Sequence, residues 1–312
     1  MTTPSARVGR VVITGGTGFL GRAAAAAFAG RGHPVTVVDF KAHPDPTIRS
    51  VVGDLTEKAV MVNALDGGDV AGVVHLAAIT SVLRSIEQPV AVYQANVAMT
   101  QDLLEYCRQA GVGRFVMAST NAVVGDVGSA TIDEATPMRP LTPYGATKAA
   151  CEMLLSGYAG AYGMHTCALR FTNIYGPGMR HKDSFVARMM RAALAGSGIQ
   201  IYGDGLQRRD LVHVNDAVQG VLAAWDRSFT ETAIIGSGQS VTMLELVEAV
   251  RAVTGCLLPA EHVAAKRGEM RAVTVDIGRA RERLGYRASV PLDDGLATVW
   301  KDFLLNSAGP DR

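Results

Sequence analysis

The chain has 312 residues, 48% hydrophobic and 19% charged, and its 30 basic and 29 acidic side chains leave a formal charge of +1. That length holds one large domain or two, and the even charge balance excludes both a basic, nucleic-acid-coating surface and an acidic tail. The 34 glycines and 12 prolines follow no G-X-Y period, so a collagen-like chain is excluded as well.

Cys107, Cys151, Cys167 and Cys256 have the spacing of neither a zinc site nor a disulfide framework, and read as reduced thiols filling the core. The stretch from Met1 to Gly9 has no apolar run, and the Ala-rich segment Arg22–Phe28 is too short to cross a bilayer. A soluble cytoplasmic protein is expected, with no metal, membrane or nucleic-acid partner.

Taken in order, Val11-Val12-Ile13 is a β-branched run that stops at a glycine cluster, and Gly18 to Ala29 reads as a helix. Val35–Val38 is a second buried strand ending in Asp39, and Ile48–Val52 a third. Gly72–Leu76 follows, then a helix from about Pro89 to Ala110, a strand at Arg114–Met117, a long helix at Tyr144–Tyr162 and a strand at Thr166–Phe171. Continuous apolar strands alternating with helices predict a parallel sheet covered on both faces, a Rossmann-like doubly wound α/β domain. The rhythm breaks after Tyr175-Gly176-Pro177-Gly178. Beyond it, helices near 185–195, 216–225, 243–253, 277–284 and 294–305 and a short strand at 199–202 predict a smaller mixed α/β region. The expected boundary is therefore 1–175 for nucleotide binding, with a return near 210–237, and 176–312 mainly for substrate.

Between the first strand and the first helix lies Thr14-Gly15-Gly16-Thr17-Gly18-Phe19-Leu20-Gly21. Gly15, Gly18 and Gly21 permit a tight turn, close approach of backbone to a pyrophosphate and close helix–strand packing, and the helix start favours an anion. Phe19 and Leu20 open that helix. Asp39, at the end of the second strand, suits ribose hydroxyls and repels a 2′-phosphate, which favours NAD. Lys41, two residues on, leaves NADP open, and a plain turn role for Asp39 remains the alternative. Asp54-Leu55 after the third strand meets the adenine, or Asp54 caps the helix that follows.

Tyr144 and Lys148 stand four apart and share a helix face. A phenol with a pKa near ~10 is a poor base at neutral pH, and an adjacent ammonium favours its ionised form, so Tyr144 becomes a candidate general base. Ser119-Thr120 at the end of the fifth strand offers a third hydroxyl, or simply a turn that closes the strand.

In these motifs the sequence resembles the extended short-chain dehydrogenases/reductases, in particular the NAD-dependent sugar-nucleotide epimerases and dehydratases. The resemblance runs over about residues 10–305 and adds His75-Leu76-Ala77-Ala78, whose backbone passes the cofactor in the family, and Asn96 as the family's helix asparagine. It puts the catalytic hydroxyl on Thr120 and Ser119 near the nicotinamide. It assigns substrate diphosphate binding to Asn173, Arg209 and Arg267, with Arg180 and Arg84 as weaker sugar contacts. Two guanidiniums suit a diphosphate because each donates in pairs.

Family dehydratases carry an acid just after the catalytic hydroxyl. Here Asn121-Ala122 stand there, and neither side chain moves a proton. Val124 replaces a usual tyrosine, and Val273 stands where a larger residue limits room for a 2-acetamido group. The resemblance thus implies an NAD-dependent sugar-nucleotide 4-epimerase acting on a nucleoside-diphosphate sugar, UDP-linked for preference, and a homodimer. A dehydratase or dehydrogenase/reductase of the same superfamily is the alternative, and a non-catalytic NAD-sensing regulator a remote one.

Overall fold

The computed structural model describes residues 8–265 and 271–306. Strand β1 (Arg10–Thr14) leads to helix α1 (Phe19–Gly30), β2 (Val35–Asp39) and β3 (Arg49–Val52). Then come α2 (Lys58–Leu65), β4 (Val70–His75), α3 (Val82–Glu87), α4 (Pro89–Tyr93), α5 (Met99–Gln109) and β5 (Arg114–Thr120). The middle of the chain forms β6 (Thr131–Ile132), α6 (Pro143–Tyr162), β7 (His165–Phe171), β8 (Asn173–Tyr175), α7 (Phe185–Ala195), β9 (Ile199–Tyr202), β10 (Arg208–His213) and α8 (Val214–Asp226). The rest comprises β11 (Thr232–Ile235), β12 (Ser240–Thr242), α9 (Met243–Thr254), β13 (Ala260–Val263), β14 (Ala272–Val275) and α10 (Leu292–Leu305).

The large sheet has the strand order β11-β7-β5-β4-β1-β2-β3. The pairs β1–β2, β2–β3, β1–β4 and β4–β5 are parallel. Every residue of β1 is buried, as are four of the five in β2, which is why these strands are uniformly apolar rather than alternating. The Rossmann-like reading therefore holds. Its core joins Val12, Val38 and Val73 of the sheet to Met61, Leu103, Leu104 and Leu155 of α2, α5 and α6. The order reverses between β1 and β4, and in such folds ligands gather beyond the carboxyl ends of the strands at that point.

The second sheet is smaller and mixed. It runs β12-β10-β14-β6, with β8 also on β10; β10–β12 is antiparallel and β10–β14 parallel. A two-stranded parallel ribbon, β13–β9, stands apart. By packing, the chain forms two compact units. One takes in the chain up to Val123, Pro140–Arg170 and Gly220–Ala233; the other takes in Val124–Arg139, Phe171–Gln219 and the chain from Ile234 on.

Several elements differ from expectation. The helix expected from Pro89 to Ala110 is α4 and α5 joined by a π turn at Gln94–Ala98. The one expected at 277–284 is helical over 278–284, its last five residues, Ala280–Leu284, forming a π turn. Strand β10 went unforeseen because it opens with Arg208-Arg209-Asp210, yet all but its first residue are buried, so tertiary packing overrides local polarity. None of the described helices is long and apolar enough to cross a membrane.

Candidate active site

The turn after β1 is built so that only glycine fits. Gly15 has φ +67°, and a Cβ there would lie 2.7 Å from the Ala77 backbone nitrogen. A Cβ on Gly21 would lie 2.1 Å from Gly15 O, and one on Gly16 would lie 2.5 Å from Val37. Gly18 is the N-cap of α1, with no side chain capping it and no acid in the first turn. This leaves a bare helix start, with Phe19 and Leu20 in its first turn, of the kind that accepts a pyrophosphate. The loop after β4 is locked to the same turn, for the Leu76 and Ala77 amides both donate to Thr14 Oγ1 at 3.2 Å, and Ala78 follows them.

Asp39 accepts from the Thr17 amide at 3.0 Å and from the Phe40 amide at 2.7 Å, one bond to each oxygen. Each carboxylate oxygen keeps a second acceptor site for a ribose hydroxyl. Asp54 instead closes a turn by accepting from the Thr56 amide at 2.9 Å, and Leu55 is buried in the core. The helix after it is capped at Glu57 rather than at Asp54.

Thr120 ends β5, and Tyr144 is the second residue of α6. Thr142 sets that helix start by accepting from the Gly145 amide at 3.2 Å, with Pro143 at the first helical position. A Cβ on Gly145 would lie 2.5 Å from Ala122 O, so the absence of a side chain lets α6 press against the turn that follows Thr120. The phenol of Tyr144 shares a hydrogen bond with Thr120, which favours the phenolate, but burial outweighs it and pushes Tyr144 up to about 12. Lys148 is buried, and its Nζ donates to Ala118 O at 2.9 Å. Burial lowers its pKa, and Cys151 and Glu152 work in the other direction. Ser119 is buried too, and its hydroxyl donates to Glu152.

A second network stands behind these groups. Asn96 lies in the π turn, and its amide donates to Ile79 O at 3.1 Å and to Thr147 Oγ1 at 3.1 Å, while its Oδ1 accepts from the Ile79 amide at 2.8 Å. Thr147 in turn donates to Tyr144 O at 2.8 Å. His75 sits between Thr14 Oγ1, 2.7 Å from Nδ1, and Thr100 Oγ1, 3.1 Å from Nε2. Thr14 already accepts two amides and Thr100 donates to Asn96 O, so His75 is neutral with its proton on Nε2. Burial, aided by the charge of Lys148, pushes its pKa down to about 3.

In the second unit, Asn173 donates to Asp210 O at 2.9 Å. Arg209 is buried, donates to Arg208 O at 2.8 Å and lies with its guanidinium 5.9 Å from the Phe185 ring. Arg180 turns to the C-terminal helix, where it donates to Asn306 O and lies over Phe303. Arg84 is exposed and reaches Gln88. Val273 is buried and pairs with Arg209 across β14 and β10. Arg267 lies outside the described residues.

A family model for the NAD dependent epimerase/dehydratase family matches residues 11–235. The chain belongs to that family. It is 33% identical to a dTDP-glucose 4,6-dehydratase of Streptomyces griseus, over 93% of this chain and 92% of that protein. It is also 33% identical to a UDP-glucose 4-epimerase of Streptomyces lividans, over 90% of this chain and 92% of that protein. Among solved structures, MoeE5 in complex with UDP-glucose and NAD is 35% identical with a TM-score of 0.89, covering 96% of this chain and 100% of MoeE5. The family and its NAD-bound neighbours make NAD the cofactor, and the glycine turn and Asp39 fit it.

For an epimerase/dehydratase family member, the residues that sequence reasoning passed over are Thr14, Thr100, Thr147, Glu152 and Arg170. Glu152 carried a signal, since it stands two turns beyond Tyr144 on the same face of α6. The threonines carried none, because the side chains they meet, His75 and Asn96, lie on other elements.

Proposed function

We propose that this chain is a sugar-nucleotide 4-epimerase. The observation that carries the reading is the pair Asn121-Ala122 beside Thr120 and Tyr144, a site with a redox hydroxyl and base but no acid at the two following positions. The next three acids in the chain, Asp126, Asp133 and Glu134, have other partners, Asp133 accepting from Thr136 Oγ1 at 2.8 Å. Asp126 accepts from the Gly128 amide at 2.9 Å, and Glu134 accepts from the Ile234 amide at 2.8 Å and lies 3.6 Å from Arg279.

NAD, when bound, would supply the hydride acceptor and the hydride donor for the return. Gly15, Gly18, Gly21 and Asp39 hold it, and Lys148 positions its ribose. Thr120 orients the C4 hydroxyl of the sugar against Tyr144, which takes the proton as phenolate. The hydrogen bond with Thr120 opposes the burial that holds the phenol neutral, and Lys148 on the same helix face would favour the phenolate further. Asn173 and Arg209 retain the diphosphate while the 4-keto sugar turns. Tyr144 then returns the proton, and the product is the C4 epimer. The UDP-sugars named for MoeE5 and for the Streptomyces lividans relative favour a UDP-linked substrate.

The test is incubation with UDP-glucose, UDP-N-acetylglucosamine, UDP-glucuronate and dTDP-glucose without added cofactor, with products read by mass and proton NMR. An isomer of unchanged mass is expected. Loss of water overturns the reading in favour of a dehydratase. The exposed Leu83, Ile86, Val90 and Tyr93 of α3 and α4, with Met153 of α6, support a homodimer through these helices. Light scattering is expected to give twice the 32.8 kDa chain mass, and a monomeric mass refutes it.

A further inference from the structure

Helix α6 is tied to the end of β5 by three successive turns. Tyr144 bonds Thr120, Lys148 bonds Ala118 O, and Glu152 accepts from Ser119. The first two ties belong to the proposed chemistry. The third is a buried carboxylate with no part in it so far.

Glu152 is paired to Arg170 of the neighbouring strand β7, whose Nε lies 3.1 and 3.2 Å from the two carboxylate oxygens and whose Nη2 lies 2.8 Å from Oε2. Both side chains are almost wholly inaccessible, at 2% and 1% exposure, and Arg170 Nη1 meets no acceptor among the described residues. A buried ion pair is weak evidence for stability, since apolar replacements are often as stable. This pair stands instead one helical turn from Lys148 and shares Ser119 with the strand end that carries Thr120.

We infer that Glu152 is a positioning residue for this site: its carboxylate, held by Arg170, fixes Ser119 beside Thr120 and places a buried anion one helical turn from Lys148. The groups facing Lys148 are Tyr144, Cys151 and Glu152 on its own helix, His75 from β4, and Arg170 behind Glu152. Glu152 is the one carboxylate among them. Burial presses Lys148 toward neutrality, and Cys151 and Glu152 oppose it. The inference rests on the roles proposed for Tyr144 and Lys148.

Glu152→Gln keeps the shape and removes one negative charge, so every nearby pKa falls. Tyr144 lies two turns away, about 12 Å along the axis, where one charge shifts a pKa by about one unit at an effective dielectric of ~20; Lys148 is nearer. Both limbs of the kcat–pH profile are expected to move to lower pH by about one unit, with kcat down by about tenfold and KM for the sugar nucleotide unchanged. The phenolate absorbance of Tyr144 in the purified protein, isolated by subtracting the Tyr144→Phe background, is expected to titrate at lower pH as well. Unmoved limbs and an unmoved Tyr144 titration, with only thermal stability reduced, overturn the inference and leave a structural ion pair. Should Glu152→Gln not fold, Glu152→Gln/Arg170→Met removes both charges at similar volume. Its alkaline limb is still expected below that of the parent, because the nearer charge to Lys148 is the anion, and a limb at the parent position overturns the inference. Turnover that survives Tyr144→Phe refutes the underlying site assignment instead.

Discussion

The hydroxyl of Thr120, the last residue of β5, shares a hydrogen bond with the phenol of Tyr144, the second residue of α6. Nothing in the spacing of the two residues brings them together. Thr142 and Pro143 start the helix at the right residue, and the missing side chain of Gly145 lets it approach Ala122 O.

Tyr144→Phe is expected to lower kcat by about 10²–10⁴-fold with NAD retained, since it removes the proton acceptor and little volume. Thr120→Val keeps the branched shape, removes the hydroxyl and leaves the Ala122 amide, now bonded to Thr120 Oγ1 at 3.2 Å, without that acceptor. Its loss is expected to be smaller, about tenfold to a hundredfold. Single-turnover rates and the nucleotide released on denaturation check both. A Tyr144→Phe enzyme with parental kcat refutes the assignment.

Gly15→Ala puts a side chain at φ +67° and 2.7 Å from the Ala77 nitrogen. A cost of about 1–3 kcal/mol in stability is expected, together with loss of bound NAD. Gly30→Ala is the control, because nothing lies within 4 Å of its Cβ. That change is expected to be neutral or stabilising by up to ~1 kcal/mol. Equal effects of the two substitutions on Tm and on bound NAD count against a glycine turn fitted to the cofactor.

His75 gives the chain a specific acid sensitivity. Its folded pKa, about 3, lies below the unfolded value of about 6.5, so the unfolded chain takes up the proton first as pH falls. The stability it confers is complete above about pH 6.5 and is lost progressively toward pH 3. At pH 5 the loss by this route is about 2 kcal/mol. His75→Gln, which has no titration there, is expected to show a correspondingly shallower fall between pH 6.5 and 4 in urea unfolding. Parallel curves for the two proteins refute the pH assignment of His75.

Much of the first unit is legible in the chain because its signals are local. Buried parallel strands must be apolar throughout, so Val11–Ile13 and Val35–Val38 announce themselves. Gly15, Gly18 and Gly21 answer to steric rules that act over a few residues, and Tyr144 and Lys148 share a face by helical periodicity alone. The remainder depends on partners far along the chain. Arg208-Arg209-Asp210 reads as a polar turn until β8, β12 and β14 flank it. Arg180 is drawn to Asn306 O and Phe303, a choice that no local pattern encodes. The same holds for His75, whose tautomer follows from Thr14 and Thr100, and for Glu152, whose meaning comes from Ser119 and from Arg170 on the next strand. Short-range sterics and periodicity are written residue by residue. Which buried charge meets which partner is settled only when strands and helices come together, because a buried polar group must find its bonds wherever the fold supplies them.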